Sequence, residues 1–364
     1  MSAIGFGMNV TGGGKKPGRI LVTKGKNSGS GTLKDAIDEA NAAKGRAMEI
    51  VITTGLEPYE EGKSDKDKLI VTARNLTIRA EGGAVINRNH LIFDCTKADN
   101  ILLTSLRFDS DGLSKPYDAI SIDATEGRGE IGFWIDHCSF EAYKDLSITT
   151  NTRDKAKAPP LLITISHCHF HDRSPNAGRD HGALGIHGTG GGDEKNPGPG
   201  DRETNAYATV YRNYFETVRR RQPRSSQRTF VHAFNNVLKN WGNGDPNPTP
   251  QDQVNAMVSG NFGILASEAN YFDAGVLKST IQVAKGKEPG QLIVGTDQYV
   301  NLYINGALDP LADPSNDPKL KVPKDSTKAV AEYYGAVRQK LPQRDPMTAA
   351  LSEAIKKEAG PLPG

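Results

Sequence analysis

Six β-prone runs recur along the chain, each closing on an apolar residue: LLTSLRF (102–108), FWIDHCSF (133–140), ITISHCHF (163–170), TVYRNYF (209–215), FVHAFNNVL (230–238) and LASEANYF (265–272). One such run cannot bury its apolar face alone. Repeated at intervals of roughly 22 to 45 residues, the runs constrain the chain to stack them as coils of a β-solenoid with loops of unequal length. Equivalent residues of a parallel β-helix lie about 4.8 Å apart from coil to coil, so like residues stack. A column near the end of the runs reads Leu106, Cys138, Cys168, Asn213, Asn235 and Asn270. It predicts apolar stacking in the first half and an asparagine ladder in the second, where side-chain amides bond one another and the backbone. Cys138 and Cys168 are then stacked core thiols. With Cys95 they make a sparse, odd set that cannot form a disulfide framework.

The remaining texture fits that architecture. Glycine is abundant, at 39 of 364 residues, and aromatics make up only 7%, as expected for many short strands joined by turns. SGTLKDAIDEANAAKG (30–45) reads as a short amphipathic helix with Ser30 or Thr32 as N-cap and Leu33, Ile37 and Ala40 on its apolar face, suited to capping the open end of a solenoid. From Asp309 the chain turns proline-rich, then helix-like in TKAVAEYYGAVRQKL and AALSEAIKKEAG. The expected division is a solenoid over 1–308 and a partly helical tail over 309–364, laid on the solenoid or capping its far end.

Basic and acidic residues nearly cancel, 45 against 43, so no whole-molecule field draws the chain to nucleic acid or an anionic membrane. No apolar run reaches the roughly 18 residues of a membrane span, and MSAIGFGMNVTGGGKK lacks the apolar stretch of a signal peptide. Anion recognition must therefore be local. VRRRQPRSSQR (218–228) carries five arginines and no acid. The aromatic platform of a single-strand nucleic-acid site is missing there. Asp118, Asp123 and Asp145 sit near neighbouring runs; stacking can gather them for a hard cation such as Ca²⁺, or leave them as solvated loop acids. Asp136 interrupts an apolar strand and must be paired or functional. In HCHFHD, His167, His169 and His171 alternate, projecting from one outer face as surface or ladder histidines. GFGMNVTGGG follows no strand, which argues for turn-rich packing rather than a dinucleotide fingerprint.

Taken in order, GFGMNVTGGG, YDAISI, GFWIDHCSF, ITISHCHFHD, RRRQPRSSQRTFVHAFNNVL and ASEANYF resemble the pectate lyase family of polysaccharide lyases, over about residues 5 to 275. The resemblance implies a right-handed parallel β-helix, secretion, action as a monomer on an acidic polysaccharide, and a Ca²⁺ cofactor. It implies that Asp118 and Asp145 are calcium carboxylates, that Thr149 stands where a third carboxylate is usual, and that Asp136 supports the site without ligating. Arg221 matches the catalytic base and Arg228 falls near the family's second arginine. Arg224 is a further candidate for the substrate carboxylate, and Arg179 or His181 stands in for a substrate-binding lysine.

That chemistry explains the arginines. Removing the proton beside a uronate carboxylate builds negative charge on a group already anionic, so the site must supply cations. A guanidinium normally stays protonated below a pH of about 12, and a ring of neighbouring cations disfavours its protonated form. Thr149 leaves room for a calcium-independent lyase acting on esterified pectin or another uronate polymer. A solenoid that binds glycans without turnover is the reading from a different class.

Overall fold

Each apolar run folds as two strands with one left-handed residue between them. In FWIDHCSF the strands are Ile131–Asp136 and Ser139–Glu141, and His137 between them has φ 49°. Ser105, His167, Arg212, Asn235 and Ala269 repeat that conformation once per coil, so the chain bends through the same corner each time. The residue that follows each of them turns inward and is fully buried: Leu106, Cys138, Cys168, Asn213, Asn236 and Asn270.

The ladder position therefore belongs to Asn236, not Asn235. FVHAFNNVL offers two adjacent asparagines, and only the corner decides between them. Asn236 Oδ1 accepts from the backbone and side-chain amides of Asn213, both at 3.0 Å, and Asn270 Oδ1 accepts from those of Asn236, both at 2.9 Å. Each side-chain NH₂ also donates to a carbonyl one coil back, at Ile165, Val210 and Ala233. Cys168 N donates to Asn213 Oδ1 at one end, and Asp297 Oδ1 accepts from Asn270 at the other. Buried amides satisfied on both sides lock the coil register. Among the thiols, Cys138 and Cys168 are free and buried.

The structure, a computed structural model, describes residues 3–26, 28–57, 69–87, 89–110, 118–124, 129–141, 143, 145–152, 160–172, 182–188, 205–242, 255–274, 280–283, 290–295, 297–300, 302–304, 307–309, 326–336 and 339–362. Its strands form a parallel β-helix with a ten-stranded sheet and two eight-stranded sheets. One coil runs from the long sheet (Ile131–Asp136) to a sheet of three-residue strands (Ser139–Glu141) and then to a third sheet (Leu146–Thr152), before Leu161–Ser166 begins the next. Registered pairing stacks like on like. Phe108, Phe140, Phe170 and Phe215 form a column with near-parallel rings and centroids 4.9 to 5.1 Å apart.

Both termini cover open apolar surface. Helix Leu33–Ala42, with Thr32 accepting from Asp35 N at its N-cap, buries Leu33, Ala36, Ile37 and Ala40 in the main core. GFGMNV packs as turns, Phe6 lying between the long sheet and helix Ser326–Ala336 and stacking on Tyr334 at 4.1 Å. That helix is shorter than TKAVAEYYGAVRQKL suggests. The chain is non-helical over 339–348, as befits a stretch holding Pro342 and Pro346. Helix Ala349–Glu358, capped by Thr348, packs Ile355 with Tyr214, Val237 and Ala269 of the solenoid. Among the described residues no helix is long and apolar enough to cross a membrane.

Candidate active site

The third sheet brings Asp118, Asp145 and Arg221 to one edge. Asp118 opens strand Asp118–Ala124, and its place is taken on the next coils by Leu146, then Gly182, then Arg220 and Asn255. Its Oδ1 accepts from Leu146 N at 3.0 Å. Asp145 immediately precedes Leu146, and its Oδ1 accepts from Arg221 Nη1 at 3.1 Å. Burial, then the neighbouring charge of Asp145, pushes Asp118 up to about 7. A carboxylate pair held this way favours a third charge of opposite sign.

Arg221 is positioned from several directions. Its backbone is left-handed at φ 58°, its N–H donates to Asn255 Oδ1 at 3.1 Å, and the next residue, Gln222, is fully buried with its amide on Val218 O at 2.8 Å. The side chain crosses Gly182, where a Cβ would come within 3.2 Å of Arg221 Cδ and 3.0 Å of Leu146. Glycine opens the path to Asp145.

Arg224 is in register with Gly185, which is in register with Thr149 and, one coil further, Ser121. Burial and then the Arg221 charge hold its guanidinium below the usual arginine range, and its Nε has no partner among the described residues. Such a cation suits an incoming carboxylate. Arg228 lies past the end of strand Arg224–Ser226, at the corner into the next coil, with its carbonyl on Asn205 N. Arg179 and His181 fall outside the described residues.

Sequence reasoning missed His187 and Ser226. They are in register on adjacent coils, with His187 Nδ1 2.6 Å from Ser226 Oγ, and burial followed by Arg224 and Arg221 lowers His187 to about 3. The histidine of GALGIH, at the end of a third-sheet strand, was the available signal. The same row continues to Asn151 and Asp123, where the Asn151 amide donates to the carboxylate at 3.2 Å.

Asp136 belongs elsewhere. It ends a long-sheet strand and accepts from Ser166 Oγ at 2.6 Å, His137 Nδ1 at 2.7 Å and His167 Nδ1 at 3.2 Å; none of its partners is Asp118 or Asp145. His167 sits at the left-handed corner, whereas His169 and His171 lie on the following strand, so the three histidines do not share one face. Asp136, His137 and His167 carry metal-ligand atoms within 4.8 Å of one another. The two rings are stacked 4.7 Å apart at 7°, however, so their lone pairs run side by side instead of converging on one point. This cluster reads as a ladder.

Asp118 and Asp145 offer carboxylate oxygens, and the Thr149 hydroxyl lies three residues further along the third sheet, in the row of Ser121; all are donors of the hardness that calcium takes. A left-handed arginine, a like-charge carboxylate pair and a second guanidinium whose Nε has no partner among the described residues stand together on the edge of a parallel β-helix, an arrangement typical of functional sites.

The family described as pectate lyase matches residues 3–360, and the chain belongs to it. Its activity is accordingly that of a lyase. No curated protein matches the sequence. Among solved structures, pectate lyase II from Xanthomonas campestris is similar at 15% identity and TM-score 0.63, over 99% of this chain and 98% of that one. A pectate lyase from a Bacillus species, solved in complex with trigalacturonate, is similar at 15% identity and TM-score 0.60, with the same coverage of both chains. The major allergen of cedar pollen shares 17% identity at TM-score 0.55, over 99% of this chain and 93% of that one. At these identities the structural likeness speaks for the fold.

Proposed function

We propose that this chain is secreted and cleaves polygalacturonate by β-elimination, with Arg221 as base and with Asp118 and Asp145 holding a calcium ion. The observation that carries the reading is Arg221 on Asp145, within the field of Asp118, with the Arg224 guanidinium near enough to feel both Arg221 and Asp145. When bound, calcium supplies Lewis-acid stabilisation to the substrate carboxylate. Arg221 takes the proton from C5 of the uronate. The electrons of that C–H bond form the C4–C5 double bond, the C4–O bond breaks, and the departing oxygen is protonated from solvent. No water is added across the bond. Arg224 faces the uronate carboxylate and offers two parallel N–H donors.

Thr149 keeps open a second reading, a lyase that works without calcium on esterified pectin. A panel of uronate polymers assayed for unsaturated ends, with calcium and with chelator, separates the two. Activity on polygalacturonate abolished by chelator supports the first. Activity insensitive to chelator supports the second, and no unsaturated product from any polymer overturns both.

A further inference from the structure

The cation assignment leaves Arg220 without a role. Its backbone bridges Gly182 on one side and Asn255 on the other, so the sheet fixes its place. Arg220 is only 4% exposed, yet its Nη2 stands 3.8 Å from Asp145 Oδ1, the same oxygen that accepts from Arg221. One carboxylate oxygen thus faces two guanidinium groups, and a divalent cation held by Asp145 would compete with them for that carboxylate. With Arg224 within electrostatic reach of Arg221 and Asp145, three guanidinium groups stand near the carboxylates of Asp118 and Asp145. Thr149 withholds a further negative charge. The edge repels a free cation and attracts an anion.

We infer that Arg220 is a built-in competitor for the cation at Asp145, which makes firm cation binding conditional on the arrival of a uronate. The inference rests on the assignment of Asp118 and Asp145 as cation ligands. A uronate carboxylate matches a guanidinium in the bidentate manner and gives Arg221 a partner other than Asp145. Gly182 leaves the Arg221 side chain clear of a Cβ, whereas Arg220 is tied by its backbone to Gly182 and Asn255. Relieved of Arg221, Asp145 faces Arg220 alone, and together with the substrate's own carboxylate it presents the hard oxygens that calcium needs. By linkage, each ligand tightens the other by the same factor.

Calorimetric titration of calcium into the full chain, with and without digalacturonate, tests this. In the absence of uronate, Arg220→Gln binds calcium about five- to tenfold more tightly than wild type, and Arg220→Lys, which keeps the charge, stays within about twofold. Digalacturonate tightens calcium binding to wild type by about fivefold or more, and by less in Arg220→Gln. Unchanged or weaker calcium binding by folded Arg220→Gln overturns the inference. Absence of coupling in the wild type does so too, without recourse to any variant. Asp145→Asn distinguishes the two levels: undiminished calcium binding in that variant overturns the ligand assignment and the inference together. Loss of binding there, with no gain in Arg220→Gln, overturns the inference alone.

Discussion

Two corners on adjacent coils are built from similar ingredients and reach opposite states. At the first, Asp136 is buried, yet hydrogen bonds from His137, His167 and Ser166 outweigh the burial and hold its carboxyl well below the usual range. Ser166 in turn accepts from the indole of Trp134 at 3.0 Å. At the second, Asp118 has one backbone donor and the like charge of Asp145 beside it, and burial drives it up to about 7. The contrast teaches that donors, not burial, decide the matter. A fully satisfied carboxylate stabilises a fold, and one left short of counter-charge is held ready for a ligand.

The largest effect that could break this comparison is on turnover. Arg221→Lys keeps the charge but loses the planar fork, and it should cost about a thousandfold or more in the rate of unsaturated product formation, with the thermal transition little changed. Asp136→Asn should do the reverse. It puts an amide donor where two imidazole N–H groups and a hydroxyl need an acceptor, costing about 1–3 kcal/mol by denaturant unfolding while activity per folded molecule stays near wild type. If the Asp136 variant instead lost turnover at full stability, the division between the two corners would fail. Thr149→Asp should lower the calcium concentration for half-maximal activity by about three- to tenfold, as one more carboxylate joins the donor set.

The smallest effect lies in the pH dependence of stability, and it sharpens the contrast because the two carboxylates have opposite signs. Asp118 binds its proton more tightly in the folded chain. Its contribution is fully present below the unfolded value of about 3.9 and is lost as pH rises through about 7. Asp136 binds its proton less tightly when folded, so its contribution is present above about 3.9 and is lost as pH falls further. In chelator, Asp118→Asn should flatten the decline of melting temperature between about pH 4 and 7 and leave the acid limb intact. An unaltered profile would show that Asp118 titrates alike in both states.

The legible part of this fold was whatever repeats. Phe108, Phe140, Phe170 and Phe215 fall at the same place in four runs because inward and outward residues alternate along each strand and the same corner precedes them. The asparagine ladder was legible as a column, but FNN does not say which asparagine takes the left-handed corner. Asp136 is paired, as a carboxylate in an apolar strand must be, but its partners are His137, His167 and Ser166 rather than the Asp118 and Asp145 site that the resemblance has it support: two bends of one coil separate it from Asp145. His187 and Ser226 carried too weak a pattern to be singled out.

The sequence by itself determined the solenoid, its core columns, the amphipathic helix at its start and the family to which the chain belongs, because local alternation dictates which face of each strand is buried. Only the tertiary structure decided that Arg220 and Arg221 both reach Asp145, that Gly182 clears the way, and that His187 meets Ser226. Those pairs come from separate coils, and the loops between coils follow no period. Which side chains face each other across coils is therefore fixed by strand register.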